Sequence, residues 1–241
     1  MRFGYIYYVQ ERLCKTLYMV YTEYRSLLND TIPSPDSFVQ TEIGGERGTA
    51  MKVIGINGSP RSNGNTSIII REVFHVLEEN GIETELVQLG GSAIRGCTAC
   101  GACFKTQNGT CAMQGDVVNA ILKKAVEADG IILGSPVYFA DVTPEMKAFI
   151  ERAGMVASAN GNLLKHKVSA SVAAVRRAGA IQAFDTMNHF LHYTQTFLVG
   201  ASYWNMAYGK EIGEVQKDDE GMANMRVLGE NMAWLLKKIY S

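Results

Sequence analysis

Strong charge of either sign is missing from this sequence. Its 241 residues carry 23 lysines and arginines against 24 aspartates and glutamates, a formal net charge of −1. Such balance leaves no electrostatic footprint for nucleic acid or an anionic membrane surface. No apolar run approaches the roughly 20 residues that a bilayer crossing requires. Only four histidines are present. His75 and His166 are isolated, and His189 and His192, at i and i+3, have no cysteine or carboxylate pattern beside them. No serine–histidine–acid grouping suggests hydrolysis. Scattered cysteines are missing too, because four of the five fall within fifteen residues. That clustering argues against a disulfide framework and for metal or redox chemistry in a reducing compartment. A cytoplasmic α/β protein is the expectation.

Residues 1–50 differ from the rest. They hold six of the eleven tyrosines and end in Pro/Ser/Gly-rich stretches. The basic and then apolar regions of a secretory leader are not seen there. A short amphipathic helix over residues 5–28 is one reading. The preferred one treats 1–50 as a poorly ordered extension or an upstream translation artefact, because Met51 is followed at once by the buried-strand pattern KVIGING. Residues 51–241 would then be the working domain, with a cysteine-rich loop at 95–112.

From Lys52 onward short apolar runs alternate with helical periods, the pattern of a parallel sheet covered by helices. Strands are expected at 53–56, 83–89, 130–135, 167–175 and 196–202. Helices are expected at 66–80, after an N-cap at Asp116, after the Thr143-Pro144 pair, at 180–195 and at 220–238. Five strands with such crossovers suit a three-layer α/β/α sandwich, strand order 2-1-3-4-5, with ligands at the carboxyl ends of the strands.

Between the first strand and first helix lies GSPRSNGNTS, residues 58–67. Glycines let backbone N–H groups turn toward an anion, and the helix N-terminus adds partial positive charge. Ser, Thr and Asn donate hydrogen bonds without net charge, and Arg61 can pair with a dianion. A nucleotide P-loop would need lysine where Asn65 stands, and the dinucleotide pattern G-x-G-x-x-G is absent. A polar turn without a ligand is the plain alternative.

Cys97, Cys100, Cys103 and Cys111 form C-x2-C-x2-C-x7-C. Tight turns, eased by Gly96 and Gly101, can aim several thiolates inward around an iron–sulfur cluster. Tetrahedral zinc also takes four cysteines, and free thiols or a disulfide complete the alternatives. The loop follows the second strand and so emerges on the same sheet edge as the phosphate cradle.

GSPRSNGNT, followed by GSPVYFADVTPEMKAFIERAG, resembles the NADPH-dependent FMN reductase branch of the flavodoxin superfamily. The cysteine run narrows the resemblance toward the iron–sulfur flavoproteins, and AVRRAGA and the SYWNMAYGKEIGEVQKDDEG tail extend it across 52–240. It implies a flavodoxin-like fold and an FMN whose phosphate is held by Ser59, Arg61, Asn63, Asn65, Thr66 and Ser67. Pro136, Val137, Tyr138 and Phe139 would line the isoalloxazine, with Arg176 and Arg177 near its pyrimidine or a partner subunit. The four cysteines would hold a 4Fe–4S cluster, and no side chain need act as nucleophile. Ferredoxin or NAD(P)H would supply electrons. Phe149, Met155, Phe190 and Trp204 fall in segments near subunit contacts, so a homodimer or homotetramer is implied. A cluster-free NAD(P)H-dependent FMN or quinone reductase and a non-catalytic zinc- or thiol-based redox sensor are the rival readings.

Overall fold

The computed structural model describes residues 50–240, so the expectation for 1–50 lies, but for Ala50, outside the described residues. β1 (Lys52–Asn57) is buried at every position after the first, as a strand covered on both faces must be. It leads into α1 (Asn65–Glu79), whose Ile69, Ile70, Val73, Phe74 and Leu77 are buried. β2 (Glu83–Gln88) follows, then a long loop interrupted by the short helix α2 (Ala102–Thr106). α3 (Val118–Glu127), β3 (Gly130–Pro136) and α4 (Pro144–Ala159) come next. The chain ends with β4 (Val168–Val175), α5 (Ala180–Tyr193), β5 (Phe197–Leu198), β6 (Met206–Tyr208), a 3-10 turn (Glu214–Lys217) and α6 (Asp219–Tyr240).

The strands pair in parallel in the order β2-β1-β3-β4-β5, as expected, and β6 also pairs with β4. Two cores flank the sheet and make three layers. One joins Ile69 and Val73 of α1 to Met225 and Leu228 of α6. The other joins Ile121 of α3, Phe149 of α4 and Met187 of α5. Helix α1 lies so close to the sheet that a Cβ on Gly55 would stand 2.5 Å from Ile70, and one on Gly134 2.6 Å from the same side chain. That contact sets the height at which α1 begins, and with it the phosphate loop. Among the described residues no helix is long and apolar enough to cross a membrane.

Two expectations need correcting. The strand expected at 196–202 is only Phe197–Leu198, pairing with Val168 and Ser169, and the ladder resumes at Met206–Tyr208 beside Ala173–Val175. The buried side chain of Asn224 explains the gap. It accepts from Ser202 Oγ (2.9 Å) and Tyr203 N (2.8 Å) and donates to the carbonyls of Tyr203 (3.3 Å) and Trp204 (3.1 Å). Backbone groups satisfied this way have no need of a neighbouring strand. Asp116 stands one residue outside the N-cap of α3, which is Val117. One carboxylate oxygen does accept the Val118 N–H (3.1 Å), but the other pairs with Arg152. Of the residues in segments expected near subunit contacts, Phe149 and Phe190 are buried and meet edge to face at 6.4 Å, while Met155 and Trp204 are exposed.

Candidate functional site

The loops after β1, β2 and β3 are knitted together at one sheet edge. Gly58 N donates to Gly134 O (2.7 Å), and Thr143 Oγ1 donates to Gly58 O (2.8 Å). Gln88 Nε2 reaches both Ser59 O and Gly90 O (2.7 Å each). Gly90 packs so tightly on this loop that a Cβ there would stand 2.3 Å from Gly58 O. Buried Asn57 turns the chain at the end of β1, accepting from Ser59 N (3.1 Å) and donating to Gln88 Oε1 (2.8 Å).

The start of α1 is prepared for an anion. Its N-cap is Gly64, no side chain caps it, and its first turn holds no acidic residue. Unpaired N–H groups and the helix dipole therefore face the loop. Thr66 is fully buried, yet its hydroxyl has no hydrogen-bond partner. Buried polar groups are seldom left so, and a missing ligand is one physical reason for it. The structure also shows which expected donors are already engaged. Ser59 is buried and its Oγ accepts from Arg61 N (3.2 Å). Ser67 Oγ donates to Gly64 O (2.8 Å). The side chain of Asn65 bonds to Gly209, Glu211 and Gly213. Arg61 and Asn63 are exposed around the loop and free to swing toward an anion. These residues fit the phosphate end of FMN, with Thr66 and backbone N–H groups as the donors still without a partner.

Beside this cradle the chain after β3 makes a tight turn. Tyr138 N donates to Asp141 O (2.8 Å) and Asp141 N to Tyr138 O (3.0 Å). Phe139 and Ala140, its two central residues, have φ of 48° and 63°. Two successive positive φ values outside glycine are strained, and strain of this kind concentrates at binding sites. Phe139 is fully exposed and Tyr138 is 42 % exposed, while Pro136 and Val137 are half-buried. An apolar ring left in solvent at the mouth of a cradle suits a planar ligand better than it suits water. The loop after β4 closes on the same turn, because a Cβ on Gly179 (φ 88°) would stand 2.9 Å from Ala140. Arg176 and Arg177 are exposed just before it.

The cysteine loop lies farther along the edge. Cys97, Cys100, Cys103 and Cys111 are all free, and all line one small hollow with Met113, Arg152 and Met155. Among the described residues, no three His, Cys, Asp or Glu stand close enough together to hold a metal ion. The donor set thus fits a soft metal in kind but not in placement. Helix α4 holds the loop: Glu151 accepts Cys97 N–H (3.2 Å), and Asn160 accepts Gly109 N–H (2.8 Å). Asn119 brackets Cys111, accepting its N–H (2.8 Å) and donating to its carbonyl (2.9 Å). The exposed Cys100 thiol is held below its ordinary range, first by the Ala102 N–H that opens α2 and then, against an opposing effect of desolvation, by Thr98 and Lys105.

Arg152 is the fixed point of this region and was not singled out from sequence. Its side chain is wholly buried, pairs with Asp116, and donates to Met113 O (2.9 Å). Burial alone would raise the Asp116 carboxyl, but the Arg152 guanidinium and the Val118 N–H outweigh it and hold it below the usual range. A usable signal did exist, since Arg152 occupies the inward position three residues after Phe149 in an otherwise apolar helix face. Of the histidines, His75 lies 3.4 Å from Glu79, and His166 stacks on Phe197 at 5.7 Å.

The sequence profile of the NADPH-dependent FMN reductase family matches residues 51–211. An iron–sulfur flavoprotein of Methanocaldococcus jannaschii is 38 % identical over 196 residues, which is 78 % of this chain and 99 % of that protein. One from Archaeoglobus fulgidus is 33 % identical, covering 79 % of this chain and 82 % of its own length. Among solved structures, RosB with a bound 8-demethyl-8-formylriboflavin-5′-phosphate intermediate superposes with a TM-score of 0.64 at 21 % identity, over 79 % of this chain and 80 % of its own, a likeness of fold. With the cradle at the carboxyl end of its sheet, the chain belongs to the NADPH-dependent FMN reductase family of the flavodoxin-like proteins, alongside the iron–sulfur flavoproteins, and is a flavin-dependent oxidoreductase.

Proposed function

We propose that this chain is an FMN-dependent reductase that takes electrons from a reduced nicotinamide. The observation that carries the reading is the uncapped start of α1 beside the unpartnered, buried Thr66 hydroxyl. FMN, when bound, supplies hydride and single-electron chemistry. The chain's own residues do the rest. Thr66, the backbone N–H groups of the first turn of α1 and Arg61 bind the phosphate. The strained 138–141 turn offers backbone N–H groups and the rings of Tyr138 and Phe139 to orient a planar ring system and shield it from water. No side chain here has to act as a nucleophile.

A second reading keeps the same flavin site and adds a 4Fe–4S cluster in the cysteine hollow, with a one-electron carrier such as ferredoxin as partner. Two observations favour it: four free cysteines line a single hollow, and the relatives carry the name iron–sulfur flavoprotein. The lack of any converged set of three ligands favours the cluster-free form. Anaerobic purification followed by FMN, iron, sulfide and zinc analysis on one sample separates them. FMN without iron, bleached rapidly by NAD(P)H, supports the first reading. About four iron and four sulfide per chain with FMN supports the second. Bound zinc without flavin would sink both and favour a redox sensor.

A further inference from the structure

We infer that the side chain of Asn65 positions the flavin site by latching the segment between β6 and the 3-10 turn onto α1, and is not itself a ligand of the flavin phosphate; the inference rests on the FMN reading. A primary amide has two N–H donors. Both are engaged here, one on Gly209 O (3.1 Å) and one on Glu211 O (2.9 Å). The amide oxygen accepts the Gly213 N–H (2.8 Å). No side-chain donor of Asn65 is left for a phosphate, whereas the adjacent Thr66 hydroxyl has no partner at all. The neighbouring residues of one loop therefore divide the work. Thr66 faces the anion, and Asn65 holds a wall beside it.

The latched segment is built to be held. At its start Gly209 N donates to Val175 O (2.9 Å), tying it to the end of β4. Within it the Glu214 carboxylate accepts the N–H groups of Lys210 (2.8 Å) and Glu211 (2.9 Å). At its far end Val215 is fully buried in the core under α1 and α6. Two glycines make the passage possible. A Cβ on Gly209 would stand 2.6 Å from Val215 N and 2.9 Å from Asn65 Nδ2, and Gly213 turns its N–H toward Asn65 with φ of 88°. The three Asn65 bonds join positions 144, 148 and 146 residues apart in the chain, so they order the segment only in the folded state.

The test is a double-mutant cycle on the full chain with two readouts, FMN affinity and hydrogen exchange over residues 209–214. Asn65→Ala removes the latch. Gly209→Ala displaces the segment while leaving the Asn65 side chain intact. Each variant, and the two combined, should raise exchange over 209–214 and weaken FMN by one common factor, about tenfold, because they break the same contact. Thr66→Ala should weaken FMN with exchange over 209–214 unchanged. The latch is overturned if exchange stays at the wild-type level in Asn65→Ala, or if the two effects on FMN multiply in the double variant. A wild-type chain that binds no FMN would overturn the FMN reading, and the exchange measurement would still decide the latch.

Discussion

The loop after β1 and the loop after β2 emerge at one edge of one sheet, yet they are held to different degrees. The first, residues 58–64, is short and fixed from all sides: Gly58 N bonds to Gly134 O, Gly90 presses backbone against backbone, and the side chains of Asn57, Gln88 and Thr143 hold Gly58 and Ser59. The second, residues 89–117, is long and fixed by side chains reaching from α3 and α4, above all Asn119, Glu151, Arg152 and Asn160. The first loop has no room for an added Cβ where Gly90 meets it, whereas the shape of the cysteine hollow depends on a few polar contacts from outside the loop.

The sharpest way to break this contrast is Arg152→Met. It strands the Asp116 carboxylate and releases Met113 O, and losing one partner of a buried pair costs about 3–5 kcal/mol. Urea unfolding should register that loss. FMN content per folded chain should stay at the wild-type level, since the cradle shares no contact with Arg152. Gly90→Ala should behave the other way. Its Cβ has no room beside Gly58 O, and overpacking of this kind costs about 1–3 kcal/mol. FMN affinity should fall with it, while the alkylation rates of the four thiols stay as in the wild type.

Acid offers a milder probe. The Asp116 carboxyl is depressed in the folded state by Arg152 and Val118 N–H, against the effect of burial. Its stabilisation is therefore complete above the unfolded-state pKa and is lost as pH falls through the lowered folded-state value. The stability gap between wild type and Asp116→Asn should be widest near neutrality and narrow on the acid side, as urea midpoints across that range would show. The smallest effect is on reactivity alone. Without bound metal, Cys100 should be the first thiol alkylated by iodoacetamide, being exposed and depressed, and buried Cys111 the last. Mass spectrometry of a timed reaction reads that order, and equal rates would show that α2 does not shape the hollow.

Which parts were legible in sequence follows from the same contrast. The strands, the helices and the sharp turn between β1 and α1 could be read because they rest on local rules: apolar runs, glycine-rich turns, and Thr143-Pro144 opening α4 with Thr143 Oγ1 accepting Met146 N–H (3.3 Å). The interruption of the fifth strand was invisible because it depends on Asn224, some twenty residues later in α6.

By itself, the sequence determined that apolar strands and amphipathic helices alternate, where the chain turns sharply, and which residues gather at 58–67 and 97–111. Periodicity, glycine and local hydrogen bonding act over a few residues, so they are written in neighbouring positions. Tertiary structure alone decided that Asn65 bonds to Gly209, Glu211 and Gly213, that Thr66 keeps a hydroxyl without a partner, and that Arg152 ties down the cysteine loop. Each depends on partners tens to well over a hundred residues away. Which donor is used up and which is left open becomes fixed only when the sheet brings those partners to one edge.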